Sequence, residues 1–274
     1  MLYLKMSSKL QTFEDINYIN EEASEIVFSE GEDIEKLKKL KEVSQKFLLV
    51  NDYDISTEPV FEDLSLDQFI DFIQKQSENK LITTKFDELN IDVTFRSLMS
   101  NYYTHKENGN RIFIFFLPDD NRSSNSISIG DFKKFITLIF KLDCREGMLI
   151  SNKDLSSKSK DQVRKCNIKS IDCQNIYNII TYKDDDFVDI TRHAFVPEVL
   201  AIYRDGKESK KFSEEFSVNI TKLSRILMNE PLSKFYRGRV GDIFALRRKN
   251  MAKKTLLDEQ IVYKIIYPSL VNKK

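Results

Sequence analysis

Few residues in this chain are suited to covalent or acid–base chemistry, and their spacing keeps them apart. The two histidines, His105 and His193, stand 88 positions from one another in sequence. A histidine acting as a base needs a nucleophile or carboxylate within hydrogen-bond reach. Asp189, four residues before His193, could meet it on a helical turn, but no Ser or Cys in an activating motif accompanies them. A histidine that fixes the turn before Pro197 is therefore the favoured reading. Pro118-Asp119 followed by Asp131-Phe-Lys133 satisfies the bare pattern of a Mg²⁺-dependent nuclease of the PD-(D/E)xK type. Such enzymes need two carboxylates on the metal and a lysine beside the attacking water, converging at strand ends. Here Asp131 and Lys133 open a predicted helix, and the strand expected at Met148 to Ile150 carries no carboxylate. No catalytic residue, metal or cofactor is assigned on this basis. Gly238-Arg-Val-Gly241 lacks the Gly-Lys-Ser/Thr ending of a phosphate loop and reads as a turn into a strand.

Cys144, Cys166 and Cys173 are odd in number and without C-x-x-C spacing, so neither a disulfide framework nor a zinc site is indicated. The chain of 274 residues can bury two cores, and its 20 Phe and 11 Tyr with only 7 Gly and 5 Pro fit globular domains rather than a disordered tract. Lys and Arg balance Asp and Glu at 43 each, yet the balance hides an asymmetry. Residues 1–64 hold 15 acidic and 7 basic side chains, residues 222–274 hold 13 basic and 4 acidic. A basic end suits an acidic partner surface or phosphates, or is simply a solvated face. The opening Met-Leu-Tyr-Leu-Lys turns polar at once, and no apolar run approaches a membrane span, so an intracellular protein without a membrane partner is expected.

The elements follow from apolar spacing. Ile34, Leu37, Leu40 and Val43 mark a helix in an acidic extension over residues 1–64. Ser65 caps a helix through Leu66, Phe69, Ile70, Phe72 and Ile73 that ends near Ser77. An extended piece opens at Ile82 and Thr83, and a second helix is expected over Val93 to Tyr102. RIFIFFL (111–117), stopped by Pro118, is a buried strand, followed by a helix from Gly130-Asp131 through Phe140. A strand at Gly147 to Ile150, a polar helix over Ser156 to Lys165 and an extended segment at Ile176 to Ile180 complete an α/β domain over residues 65–181. Lys183-Asp-Asp-Asp186 reads as the linker to a smaller mixed α/β domain over residues 186–270.

Three C-terminal segments carry a resemblance. DITRHAFVPEVLAI (189–202), LSRILMNEPLSKFYRGRVGDIFALRR (223–248) and EQIVYKIIYP (259–268) resemble the assembly domain of the fifth common subunit of eukaryotic nuclear RNA polymerases, a domain with a counterpart in the archaeal enzyme. Ile190, His193, Val196, Pro197, Leu223, Arg225, Ile226, Pro231, Tyr236, Gly241, Ile243, Arg247 and Tyr263 fall in step with the family pattern. Val199 stands where a second His is usual, Glu230-Pro231 replaces Asp-Pro, and Val240-Gly241 replaces Arg-Gly, which makes the chain a divergent member. RIFIFFLPDD (111–120) and GMLISNKDLSSKSKDQV (147–163) resemble parts of the same subunit's jaw domain.

The resemblance implies a three-layer jaw with a restriction-endonuclease-like core but no working active site, plus the small assembly domain. It implies a non-catalytic subunit of DNA-directed RNA polymerase that docks on the largest subunit, alongside other polymerase subunits, and lines the downstream DNA channel. Partner contacts would fall to His193, Pro197, Arg225, Pro231, Tyr236, Gly241, Arg247 and Tyr263, and contacts to duplex DNA to Lys153, Lys158, Lys160 and Arg164. Arg and Tyr suit such interfaces, Arg through its rigid fork and Tyr as an aromatic anchor. The expected place is the nucleus, or the virion and host cytoplasm for a virally encoded copy. A stand-alone adaptor that keeps the assembly domain is the further alternative to the nuclease.

Overall fold

The computed structural model describes residues 33–119, 126–167, 178–193, 195–249 and 259–268. Helix α1 (Ile34–Val50) starts where the Asp33 carboxylate accepts the Lys36 amide, with Glu35 in the first turn. Both negative charges favour the partially positive N-terminus of the helix. Its buried row extends beyond the expected spacing, from Leu37 and Leu40 to Phe47 and Leu48. Helix α2 (Leu66–Lys75) opens with a reciprocal capping box between Ser65 and Gln68 and buries Phe69, Ile70 and Ile73.

Two expectations change here. Residues expected to be extended from Ile82 form helix α3 (Lys80–Glu88), because Ile82 and Phe86, four apart, share one buried face while Leu81 is exposed. The long helix expected over Val93 to Tyr102 is a single turn, α4 (Phe95–Leu98), capped by Thr94 and Ser97. The chain then enters strand β1 (Asn101–Thr104), where pairing with β2 (Arg111–Phe116) takes up the backbone groups a helix would have used.

After β2 come β3 (Ser126–Ile127), α5 (Ile129–Lys141), β4 (Glu146–Ser151), β5 (Asp154–Leu155), α6 (Ser157–Asn167) and β6 (Asn178–Lys183). Cys173 and the expected strand start at Ile176 lie outside the described residues. The N-terminal four-stranded sheet runs β1-β2-β4-β6, with β1 antiparallel to β2 and the other neighbours parallel. Its side chains alternate between two cores. Ile112, Ile114, Phe116, Met148 and Ile150 meet α1, α2 and α4, while Phe113, Phe115, Leu149 and Ile179 meet α3 and α5. The sheet is thus the middle layer between two helical layers, and α1 is part of the first core.

The C-terminal part contains β7 (Glu198–Tyr203), α7 (Asp205–Phe216), β8 (Ser224–Leu227), α8 (Pro231–Phe235), β9 (Ile243–Lys249) and β10 (Glu259–Tyr267). Its sheet runs β7-β9-β10-β8, antiparallel except for the β10/β8 pair. One face packs Ile226, Phe244, Leu246 and Ile266 toward Leu232 and Tyr236, and the other packs Ile243 and Ile265 under Phe212 of α7.

Lys183-Asp-Asp-Asp186 is partly buried. It forms a 3-10 turn (Asp184–Asp186) whose first carboxylate is buried. Arg96 of α4 donates to both Asp184 oxygens, at 2.9 and 2.6 Å, and its Nε donates to the Leu117 carbonyl at 2.7 Å. Removing one partner of a fully buried pair leaves the other charge uncompensated. Asp184→Ala should therefore lower the unfolding free energy by ~3–5 kcal/mol, read from urea denaturation. Asp185→Ala, at an exposed carboxylate one residue on, should shift the same curve far less.

Candidate partner interface and the seam beneath it

The sequence NEPLSKFYRGRVGD builds a tight corner. Pro231 takes the first position of α8, where its missing N–H is no loss. The Glu230 carboxylate accepts the Leu227 amide at 3.0 Å and closes the entry from β8. After Phe235 the chain turns through Arg237, at φ +51°, and Gly238, where a Cβ would lie 2.1 Å from Ile266 Cδ1. A side chain at position 238 would therefore collide with β10. Gly241, at φ +96°, turns the chain into β9. Arg204 fastens the corner by donating to the Tyr236 and Arg237 carbonyls at 2.9 and 3.2 Å.

The strand register sorts the residues singled out from the sequence. Arg225 pairs with Ile265, and Arg247 with Ile261 on β10 and Glu198 on β7. Residues paired across a ladder share a face, so Arg225, Arg247, Ile261 and Tyr263 all lie on the α7 side of the sheet. The Arg225 guanidinium stacks 4.3 Å from the Tyr267 ring centre, and Arg247 reaches Glu198 at 3.3 Å. Tyr263 is partly covered by the Phe212 and Phe216 rings at 4.9 and 5.6 Å. Tyr236 lies on the opposite, inward side, against Phe235 and Phe244. Pro231 and Gly241 occupy the two ends of the corner. His193 and Pro197 lie in the approach to β7, His193 exposed and Pro197 half-buried.

Among the exposed apolar residues here, sequence reasoning missed Phe195 at 78% and Ile261 at 52% exposure. Ile261 was detectable, since it falls two residues before Tyr263 and therefore shares its strand face. Phe195 sits in a loop, where periodicity gives no signal. Asp189 does not serve His193. Its carboxylate accepts the Thr191 amide at 2.9 Å and pairs with Arg192 at 3.3 Å, while His193 Nδ1 accepts from the Phe195 amide at 3.4 Å. His105 is likewise structural, bridging to Tyr53 and meeting its ring edge-on at 5.3 Å.

The basic set of the N-terminal module lies on α6 and in the turn between β4 and β5. Lys158, Lys160 and Arg164 are exposed and Lys153 is half-buried. Ser159 faces inward and donates to the Ile127 carbonyl at 3.2 Å. The exposed face of α6 is shared by Arg164 and Asp161, paired at 3.4 Å, with the lysines on its flanks. The nuclease trio is not gathered into a metal site. Asp131 accepts the Ser128 hydroxyl in the first turn of α5 at 2.7 Å. Asp119 is raised above the usual carboxylate range by burial, with Arg96 pulling it back and Asp184 pushing it further. Among the described residues no three His, Cys, Asp or Glu side chains stand close enough to hold a metal ion.

Beneath this corner lies a polar seam with the N-terminal module. Arg237 Nη2 meets Glu146 Oε2 at 2.5 Å, Arg237 Nη1 donates to the Tyr53 hydroxyl, and that hydroxyl donates to Glu146. Burial alone would pull Arg237 down, but Glu146 and Tyr53 outweigh it and hold the guanidinium above the ordinary arginine range. Burial pushes the Tyr53 hydroxyl well up, so it stays protonated. Lys234 lies 3.8 Å over the Tyr182 ring and donates to the Thr181 carbonyl at 2.5 Å.

These features define a mixed α/β protein with no helix long and apolar enough to cross a membrane among its described residues, and with a C-terminal sheet presenting Arg and apolar side chains. Residues 188–269 match the family model of the RNA polymerase Rpb5, C-terminal domain, so the chain carries that domain, which implies a subunit of an RNA polymerase from a non-catalytic family. Among curated proteins no match is found.

Lys234 gives a pH signature of the seam. Burial brings it down to about 8, below the ordinary lysine value of 10.5. Between these values the unfolded chain binds the proton and the folded chain does not, so stability rises with pH across that window and is lost as pH falls toward 8. From pH 8 to about pH 9.5 the native protein should gain on the order of 1–2 kcal/mol relative to Lys234→Met, measured as paired denaturation curves.

Proposed function

We propose that this chain is a non-catalytic subunit of a multisubunit DNA-directed RNA polymerase, anchored to the largest subunit by its C-terminal module and holding its N-terminal module along the downstream DNA channel. The observation that carries the reading is the Rpb5 C-terminal domain match over residues 188–269. It spans the sheet with the Arg225, Arg247 and Ile261 face as well as the corner at Pro231 to Gly241.

The chemistry of that module suits a permanent contact. Arg225 is held over the Tyr267 ring and Arg247 is oriented by Glu198, so both forks are partly pre-ordered for carboxylates on a partner. Ile261 and Phe195 add exposed apolar area, with Tyr263 on the same face and His193 and Pro197 in the approach to β7, while Pro231, Tyr236 and Gly241 build the corner behind that face. Aromatic and Arg anchors beside apolar area are the usual composition of an interface core. In this role the protein supplies no catalytic group; nucleotide addition and its Mg²⁺ belong to the large subunits. Lys153, Lys158, Lys160 and Arg164 would contact duplex phosphates without reading sequence. A nuclear location accords with this role, with the virion or host cytoplasm as the counterpart for a virally encoded copy.

Affinity purification from the native cell should recover the largest polymerase subunit with the chain. Arg225→Glu combined with Arg247→Glu should abolish that recovery while leaving the circular dichroism unchanged. Recovery of the native chain with other proteins and without large polymerase subunits would favour a free-standing adaptor instead.

DNA contact is tested separately on the assembled enzyme. Replacing Lys158, Lys160 and Arg164 by Gln should reduce the slope of log affinity against log salt by up to about 2–3. An unchanged slope would remove these residues from the DNA path.

A further inference from the structure

Residues 47–53 belong to the N-terminal module, yet they close the seam against the C-terminal one. Phe47 meets the Phe235 ring edge-on, centres 5.7 Å apart, and Phe235 is 2% exposed. The Asn51 side-chain amide donates both to the Phe47 carbonyl at 2.8 Å and to the Phe235 carbonyl at 2.9 Å. Phe235 therefore belongs to the same core as Leu37, Phe47, Met148 and Tyr182, although its backbone sits in the C-terminal corner. Two residues on, Arg237 reaches Glu146 at the start of β4 and Tyr53 after α1.

Polar contacts alone would not hold this seam shut. Asn51 Oδ1, Tyr182 Oη, Ser233 Oγ and Arg237 Nε are buried without hydrogen-bond partners. Each such group loses hydration on closing, and opening the joint would hydrate Arg237 and Glu146 as well, so their attraction largely offsets their own desolvation. The energetic hold falls to the apolar insertion of Phe235, since withdrawing it exposes a full aromatic side chain and opens the space beside Phe47. The charged contact has a different consequence: Arg237 meets two partners at once, which only one relative orientation of the modules satisfies.

We infer that the α8 corner is an intramolecular joint in which Phe235 plugs the N-terminal core and Arg237 sets the angle, making the two modules one rigid body. The joint is a property of the free chain and does not rest on polymerase association. A body anchored at its C-terminal sheet would then hold its N-terminal sheet at a fixed position.

The test uses the full-length chain with its own cysteines replaced by alanine and spin labels at Lys160→Cys in α6 and Lys211→Cys in α7. The native chain should give a single narrow distance distribution. Phe235→Ala should lose it and give a broad one, with circular dichroism retained. Arg237→Met should keep a narrow distribution at a shifted distance. A broad distribution in the otherwise native chain would overturn the inference whether or not the variants fold. So would a folded Phe235→Ala chain with the native distribution.

Discussion

The structure turns on a guanidinium that is largely withdrawn from solvent. Arg237 is placed by a left-handed corner after α8, and its position is tolerable only because Glu146 and the Tyr53 hydroxyl receive it. A buried cation of this kind needs a carboxylate and well-directed acceptors, or it becomes a large penalty. The first residue of β4, the turn after α1 and the corner before β9 must therefore arrive together. The compactness of the corner follows from this demand: Gly238 lies against β10, Arg204 ties down two successive carbonyls, and Asp242 accepts the Arg239 amide at 2.9 Å.

Two further buried ion pairs use the same device inside the N-terminal module. Lys41 of α1 donates to Glu58, the Tyr103 hydroxyl and the Met99 carbonyl at 2.8–3.0 Å, using all three of its protons and tying α1 to β1. Arg96 ties α4 to the end of β6 through Asp184. Pairs of this type add little net stability relative to apolar residues of the same volume, but they specify which segments meet. The Phe-rich cores on both sides of the β1-β2-β4-β6 sheet carry the stability, and the three cations fix the register of what lies on it.

The sequence revealed those parts whose signal is local. RIFIFF reads as a doubly buried strand because no polar residue interrupts it, α2 announces itself through the cap at Ser65, and α2 and α5 both do so through apolar faces at three-and-four spacing, whereas the Ser128 cap of α5 emerged only from the structure. The errors fell where spacing was ambiguous, as at Ile82 and Phe86, which could serve a strand or a helix, and at Tyr102 and Tyr103, whose strand is set by a partner about ten residues on. The seam was out of reach for a different reason. Glu146, Tyr53, Asn51 and Arg237 meet only in three dimensions, and taken singly each resembles an ordinary surface residue. The residues of the C-terminal sheet were legible as a pattern because Gly, Pro and Arg stand at positions where the backbone or a ladder demands them, whereas the division of those residues between the two sheet faces emerged only from the register.

A C-terminal module that carries the Rpb5 domain, presents Arg225 and Arg247 on one sheet face and inserts Phe235 into the neighbouring core has the face proposed for partner contact and the corner that meets the N-terminal module on different sides. Contact with a partner need not disturb the joint, and the joint orients the N-terminal module without using the contact surface. The account depends on the two modules opening as one unit, and native-state hydrogen exchange under rising denaturant reads this directly. Amides of residues 148–150 in β4 and 244–246 in β9 should converge on one shared opening reaction with the same free energy and denaturant dependence. Exchange of 244–246 through a separate, lower-energy opening that leaves 148–150 protected would contradict it.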